Sequence, residues 1–223
     1  MRALSDASQA RVLRRFFKTA PGEYGAGDRF LGIRLPTLRS LAREYQAVPL
    51  RQVTALLKSS WHEERLLAVL ILVRQFVRGD AMRRESIYRL YLRNTDYVNN
   101  WDLVDCSAEH IVGAQLNDGS LGTLLRLARS KLLWERRIAI IATFHHIKRR
   151  RFRATLSVAR ALLDDRHDLI HKAVGWMLRE VGKRDRALAE RFLRRYVKRM
   201  PRTMLRYAIE RFPVALRRRY LAA

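Results

Sequence analysis

Four segments of the chain begin in the same way, with polar residues, one aligned residue and then an apolar run. The aligned residues are Arg65, Trp101, Arg137 and Lys172, and their spacings are 36, 36 and 35 residues. A period in the mid-thirties with two helices per unit is typical of α-solenoids of the HEAT or TPR type, in which each repeat buries its apolar face against its neighbours. The period therefore predicts a repeat fold in which the second helix of each pair lines one concave surface.

Apolar residues recur at helical spacing along the chain, and no stretch alternates as a half-buried strand would. The pattern predicts an all-α protein in which residues 1–223 form a single α-solenoid domain of HEAT-like antiparallel helix pairs with a concave basic groove. Helices are expected at about 7–19, 36–46, 49–59, 61–78, 82–93, 99–115, 119–130, 133–148, 151–164, 168–183, 185–199, 201–212 and 213–221.

Helix ends are marked by residues that favour caps and turns. Prolines stand at four of the expected helix starts, namely Pro36, Pro49, Pro201 and Pro213. Asp80 and Asn99 are expected N-caps, because short polar side chains accept hydrogen bonds from the first turn of a helix. The stretch Asn117-Asp-Gly119 predicts a turn.

The charge of the chain is strongly positive. There are 46 Lys and Arg against 21 Asp and Glu, a formal net charge of +25. Residues 131–223 hold 26 basic and 8 acidic residues, a net +18, which leaves +7 for residues 1–130. Only 7 of the basic residues are Lys, and Arg binds phosphate bidentately. An Arg-rich genome would give the same preference for Arg, but it would not produce the excess of positive charge, which favours a nucleic acid as partner.

Several classes of protein are disfavoured by the sequence. The lone cysteine, Cys106, allows no internal disulfide, and no Cys and His pattern has the spacing of a zinc site. The N-terminus lacks the apolar core of a signal peptide, and the longest apolar run, residues 66–73, is far shorter than the roughly 20 residues of a membrane span. We expect a cytoplasmic protein of bacterial type, associated with the nucleoid through DNA binding and without contact to a membrane.

One helical turn beyond the aligned row, the equivalent residues are Val69, Asp105, Ile141 and Trp176. Residues four apart share a helical face, so two indoles, one carboxylate and several cations are expected on neighbouring helices. An alternative is that Trp101 and Trp176 only pack between repeats and that Asp105 is a structural acid. The register that these residues share with the cations favours a functional site.

A carboxylate in a cationic groove fits one kind of DNA chemistry. Cleavage of an N-glycosidic bond generates an oxocarbenium-like sugar, which a carboxylate stabilises while it orients the attacking water. A base that is already cationic through alkylation is a good leaving group. Such a reaction requires no general acid, so one carboxylate, Asp105, is sufficient.

These segments resemble the motifs of the AlkD-type DNA alkylation repair glycosylases. The similar segments are Tyr97-Val-Asn-Asn-Trp101-Asp-Leu-Val-Asp105, Leu133-Trp-Glu-Arg-Arg137-Ile-Ala-Ile, Lys172-Ala-Val-Gly-Trp176-Met-Leu-Arg-Glu, and the stretches 24–36 and 201–210. The resemblance implies a HEAT-like repeat enzyme that removes cationic alkylated purines, such as N3-alkyladenine and N7-alkylguanine, from duplex DNA without a base-flipping pocket. It also implies that no metal and no cofactor takes part.

The resemblance assigns roles to four residues. Asp105 matches the catalytic carboxylate, and Trp101 and Trp176 match the indoles that contact the lesion deoxyribose. Arg137 matches the arginine near the phosphate. No departure from the family pattern occurs at these positions.

Further cations are expected to contact DNA. Arg65 and Lys172 belong to the aligned row, and Arg149 and Arg150 lie in the basic run 148–151, which reaches flanking phosphates if it is not simply a solvated turn. The His and Asp residues at 145–146 and 164–171 are interpreted as solvated and not as a metal site. A chain with polar outer helices is expected to be a monomer.

Two other functions remain open at this stage. A non-catalytic HEAT-like solenoid would bind branched or damaged DNA by shape, but it would not need the carboxylate of Asp105 facing phosphates. An RNA-binding or scaffold solenoid predicts a code repeated in every unit, whereas the aligned row changes identity from one repeat to the next.

Overall fold

The computed structural model describes residues 1–116 and 121–222. Within these residues the chain is all-helical and has no β-strand, although an isolated β-bridge joins Arg29 and Trp61. The contacts divide the chain into two compact units, Met1–Ile111 and Val112–Ala223.

The first unit is built around one long helix. Its helices are α1 (Ala7–Phe16), α2 (Leu35–Glu44), α3 (Leu50–Leu57), α4 (His62–Arg78), α5 (Ala81–Arg93) and α6 (Trp101–Asp105). Helix α4 packs against α2, α3, α5 and α6, and it is buried on most of its surface. Its apolar residues include Leu67, Ile71 and Leu72, which are almost completely buried and form the centre of this unit.

The second unit has an equivalent central helix. Its helices are α7 (Leu121–Ala128), α8 (Leu133–Ala142), α9 (Phe144–Lys148), α10 (Arg153–Ala161), α11 (Asp168–Gly182), α12 (Arg186–Tyr196), α13 (Arg202–Ala208) and α14 (Val214–Ala222). Helix α11 packs against α8, α10, α12 and α13. The buried residues Ile170, Val174 and Met177 place its apolar face in the core.

The all-α prediction is confirmed, and most of the expected helices occur within a few residues of their predicted bounds. Consecutive helices pack in pairs, such as α3 with α4, α7 with α8 and α10 with α11, which is consistent with a HEAT-like solenoid. The concave basic groove and the single domain over residues 1–223 stay predictions. The turn predicted at 117–119 and the first residues of the helix predicted at 119–130 lie outside the described residues.

Two long helices expected from the sequence are interrupted in the structure. The predicted helix 99–115 ends as α6 at Asp105 and continues after a turn as a π-helical segment, Glu109–Gly113. At this break the buried Ser107 Oγ donates to the Leu103 carbonyl at 2.5 Å. The predicted helix 133–148 is likewise divided at Thr143, whose Oγ1 donates to the Ile140 carbonyl at 2.7 Å. In both places a hydroxyl bonds to the preceding turn, an arrangement that bends and destabilises helices.

One of the two predicted N-caps is correct. Asp80 caps α5 by accepting a hydrogen bond from the Arg83 amide at 2.8 Å, as expected. The prediction of Asn99 as the cap of the next helix is wrong by one residue, because the side chain of Asn100 accepts from the Trp101 amide at 2.8 Å. Helix α6 therefore begins at Trp101 itself.

None of the helices within residues 1–116 and 121–222 combines the length and the hydrophobicity that a transmembrane segment requires.

Candidate functional site

In the first unit, α6 places Trp101 and Asp105 on one helical face. The helix is only five residues long, and the two residues stand at its ends, one turn apart. Both are partly exposed, whereas Leu103 and Val104 between them are fully buried. In the preceding repeat, Val69 is equivalent to Asp105 and Arg65 is equivalent to Trp101, and both of these residues are buried. Asp105 and Trp101 are therefore partly exposed at two positions that are buried one repeat earlier.

The indole of Trp101 is fixed by an aromatic cluster. It stacks on the ring of Phe17, with centroids 5.2 Å apart and planes at 22°, and it meets Phe16 edge-on at 5.7 Å. Phe17 stacks in turn on Phe30 at 5.2 Å. Aromatic pairs of this geometry contribute about 0.5–1.5 kcal/mol each beyond their buried area. One face of the indole is consequently committed to packing with α1 and its following loop.

A cleft of about 350 Å³ lies beside α6 and is mostly apolar. It is lined by residues of α1, α2, α4, α6 and the loop before α2, among them Leu13, Phe30, Leu66, Trp101 and Asp102. Trp101 and Asp102 of α6, with Cys106 directly after it, form one side of the cleft.

The thiol of Cys106 follows Asp105 directly. Burial raises the pKa of this thiol, and the neighbouring carboxylates of Asp102 and Asp105 raise it further. The thiol is therefore protonated at neutral pH, which disfavours a nucleophilic role.

Arg65, expected to contact DNA, is buried in the first unit. Its side chain is 3% exposed, its guanidinium forms an ion pair with Asp28, and one Nη donates to the Ser59 carbonyl at 2.9 Å. In this structure the residue holds α4 to the loops before it. Its contact with phosphate stays a prediction.

Arg137 is likewise buried in the second unit. It lies on α8, is 5% exposed and donates from Nη1 to the Leu169 carbonyl at 2.6 Å, which links α8 to the first turn of α11. The residue one turn further on α8, Ile141, is fully buried. The repeat register therefore identified the helix face on which Arg137 lies, but it did not predict that the side chain is buried.

Lys172 and Trp176 lie one turn apart on α11. Both are partly exposed, and Lys172 forms an ion pair with Asp168 at 2.7 Å. The indole of Trp176 contacts Phe144 at 5.9 Å between centroids. Gly175 precedes it at a point where a Cβ atom would lie 2.5 Å from the Met204 carbonyl oxygen, so glycine is required for α13 to approach α11. The Gly-Trp pair of the motif thus combines a close helix contact with a partly exposed indole.

Arg149 and Arg150 lie in an exposed turn after α9. Arg149 donates to the His145 carbonyl and Arg150 to the Arg184 carbonyl, each at 3.1 Å. Arg150 has a positive φ of 58°, which turns the chain sharply at this point. Both guanidinium groups remain partly available to a ligand, because each has further N–H donors.

The predicted site residues thus form two groups, one in each compact unit. The first contains Trp101 and Asp105, and the second contains Lys172, Trp176 and the exposed arginines after α9. The expectation that both groups line one groove stays a prediction.

Sequence reasoning missed the buried histidine at the start of α4. His62 lies between two carboxylates, those of Asp28 and Asp102, with ring nitrogen to oxygen distances of 2.9 and 2.8 Å. The partners are 34 and 40 residues away in the sequence, so no local spacing could have joined them. Asp102 belongs to the Trp-Asp-Leu-Val-Asp segment, which was the one available signal.

Within the described ranges, no three His, Cys, Asp or Glu side chains are grouped as metal ligands would be. The expectation that the reaction needs no metal stays a prediction about activity.

An all-α fold of paired helices, with an indole and a carboxylate one turn apart on α6, defines a helical-repeat protein. The profile of the DNA alkylation repair enzyme family matches residues 1–212, and the chain belongs to this family. A DNA repair role and DNA as partner follow from that membership, and the resemblance found in the sequence is confirmed.

The fold is also found in a solved structure. A protein described as "Predicted DNA alkylation repair enzyme from Enterococcus faecalis" superposes with a TM-score of 0.74 and 17% sequence identity, over 94% of this chain and 97% of that chain. A search of curated proteins gives no match.

Proposed function

We propose that the chain is a monofunctional DNA glycosylase that hydrolyses the N-glycosidic bond of cationic alkylated purines in duplex DNA, without flipping the base. The observation that carries this proposal is the pairing of Trp101 and Asp105, which are one turn apart and partly exposed on α6. Family membership supports the choice of substrate class. N3-alkyladenine and N7-alkylguanine are the expected substrates.

The proposed chemistry uses one carboxylate. As the glycosidic bond breaks, its electron pair leaves with the cationic base, which becomes neutral, and positive charge develops on the sugar. Asp105 stabilises that charge and orients a water molecule whose oxygen bonds to the anomeric carbon, and the proton that this water loses passes to bulk solvent. Since the charged carboxylate interacts most strongly with the charged sugar, it lowers the barrier selectively.

The remaining residues position the DNA. The indoles of Trp101 and Trp176 are proposed to pack on the lesion deoxyribose, since an aromatic face attracts a developing cation. Lys172, Arg149 and Arg150 are proposed to contact phosphates, since they are at least partly exposed. The two buried arginines, Arg65 and Arg137, support α4 and α8, and their contact with phosphate stays a prediction.

The proposal is tested with duplex DNA methylated at purines. The protein is incubated with this DNA in EDTA, and free N7-methylguanine and N3-methyladenine are measured against a protein-free control, because both bases are also lost spontaneously. We expect release well above the control and no release from unmethylated DNA. If the protein binds the methylated DNA but the amount of free base does not exceed that of the protein-free control, the proposal is contradicted.

A second candidate function is a non-catalytic solenoid that binds branched or damaged DNA by shape. The stacking of Trp101 on Phe17 favours it, because one face of this indole serves packing. Binding of branched DNA without release of a base would identify this function.

A further inference from the structure

His62 is a buried charged link between α4 and two other parts of the first unit. Its side chain is 2% exposed, with Nδ1 2.9 Å from an oxygen of Asp28 and Nε2 2.8 Å from an oxygen of Asp102. Ionised carboxylates only accept hydrogen bonds. Both ring nitrogens must therefore carry a proton, and the histidine is an imidazolium ion.

The charges around the ring are balanced. Asp28 also forms an ion pair with the buried Arg65, so two cations and two anions form one chain from Arg65 to Asp102. Burial by itself lowers the pKa of His62, but Asp102 and Asp28 outweigh this effect and raise the pKa to about 9. Arg34 and Glu63 line the same cleft as His62. A buried charge is tolerated only when it is paired in this way.

The ring is linked to α6 by a second route. It stacks on Phe30 at 4.6 Å and lies 4.7 Å from Phe17, the residue on which Trp101 stacks. His62 is therefore connected to α6 twice. It bonds directly to the carboxylate of Asp102, and it contacts Phe17, which stacks on the indole of Trp101. Both act on a helix of five residues, which is too short to be stable without such contacts.

We infer that His62 is a positioning residue, which holds α6 in the place where Trp101 and Asp105 act on the nucleotide. This inference rests on the proposed glycosylase function. Asp102 lies between the two motif residues in the sequence, so the bond from His62 fixes the first turn of α6 directly. A displacement of about 1 Å at a reacting group can lower a rate about a hundredfold, and a loosened α6 would displace the carboxylate of Asp105.

The neighbouring residue Glu63 provides a matched control. It is also buried at the start of α4, and its carboxylate accepts hydrogen bonds from the backbone amides of Leu31, Gly32 and Ile33 at 2.9, 2.7 and 3.3 Å. These bonds fix the loop before α2 and do not reach α6. Glu63→Gln therefore weakens buried hydrogen bonds of the same helix without weakening the hydrogen bond between His62 and α6.

The test compares His62→Phe, Asp102→Asn and Glu63→Gln with the wild type. His62→Phe keeps an aromatic ring in the cluster and removes both hydrogen bonds, whereas Asp102→Asn removes the charge on the α6 side only. Amide hydrogen exchange is followed in a peptide covering residues 99–106, and the single-turnover release of N7-methylguanine is measured together with DNA affinity. We expect at least about tenfold faster exchange and tenfold slower release in the first two variants, with DNA affinity within about threefold of the wild type.

The outcomes separate this inference from the proposed function. The role of His62 is overturned if residues 99–106 exchange their amide hydrogens at the wild-type rate in both His62→Phe and Asp102→Asn. It is also overturned if exchange is faster but the rate of N7-methylguanine release is unchanged. An equal effect of Glu63→Gln would show a general loss of stability and would overturn it too. If the wild type itself releases no base, the glycosylase proposal fails, and hydrogen exchange still decides whether His62 holds α6. Asp102→Asn decides the question if His62→Phe does not fold.

Discussion

At the scale of single residues, the site depends on groups whose burial could not be read from the sequence. The pairing of Trp101 with Asp105 was predicted from spacing, because four residues make one helical turn. The burial of Arg65 and Arg137 was not predicted, because repeat register identifies a face and not a depth. The imidazolium of His62 was also missed, since its partners meet it only through the tertiary fold.

His62 predicts how stability depends on pH. The pKa of His62 is about 9 in the folded protein, above its ordinary value of 6.5. The contribution of this group to stability is therefore complete below about pH 6.5 and is lost as the pH rises through about 9. Between about pH 7 and about pH 10 we expect the free energy of unfolding of the wild type to fall by about 2–3 kcal/mol more than that of His62→Phe.

Urea denaturation at a series of pH values measures this difference. The comparison with His62→Phe removes the contributions that the other titratable groups make equally in both proteins. Parallel pH dependences of the two proteins would show that folding does not raise the pKa of His62.

At the scale of helices, apolar periodicity was sufficient to predict most elements, because the 3.6-residue repeat of the buried faces is a local property. The breaks after α6 and α8 were not predictable in the same way. They coincide with Ser107 and Thr143, and a hydroxyl at such a position occurs in continuous helices as well. Ser107 is also held by Tyr91, whose hydroxyl lies 2.8 Å from its Oγ, a contact that only the packed unit provides.

The close packing at Gly175 predicts that a single added methyl group disturbs the contact between α11 and α13. A Cβ atom at this position would lie 2.5 Å from the Met204 carbonyl oxygen and 2.5 Å from the Tyr207 Cβ. We expect Gly175→Ala to lower the free energy of unfolding by about 1–3 kcal/mol, because α13 must move away. Trp176 follows directly, so the release of methylpurine should fall as well.

Gly122 on α7 is the matched control for this substitution. A Cβ atom there would meet nothing within 4 Å. Gly122→Ala is therefore expected to leave stability unchanged or to raise it by up to about 1 kcal/mol. Equal losses for the two variants in denaturant titrations would refute the packing argument.

At the scale of the whole molecule, the net charge of +25 is now connected with particular residues. Part of this charge stabilises the fold, since Arg65 and Arg137 are buried and bonded within their units. The exposed arginines after α9 belong to the part that is available to a polyanion. The family adds DNA as the partner, which the charge alone did not distinguish from other nucleic acids.

Arg149 and Arg150 predict the salt dependence of DNA binding. If each neutralises one phosphate, replacing both by alanine should reduce the slope of log K against log salt by about 2. Arg89→Ala on α5 is the control, because Arg89 is exposed and paired with Glu85. A titration by fluorescence anisotropy at several salt concentrations measures the slopes, and an unchanged slope in the double variant would remove these residues from the DNA contact.

The central claim is that Asp105 acts on the cationic sugar and not on DNA binding. Asp105→Asn should lower the single-turnover rate of N7-methylguanine release at least about a hundredfold, a loss comparable to removing one charge-stabilising group from an active site, while DNA affinity changes little. Asp96→Asn makes the same chemical change at an exposed position of the same unit and should leave the rate unchanged. Wild-type release by Asp105→Asn, or a loss of rate explained by lost DNA binding, would contradict the account.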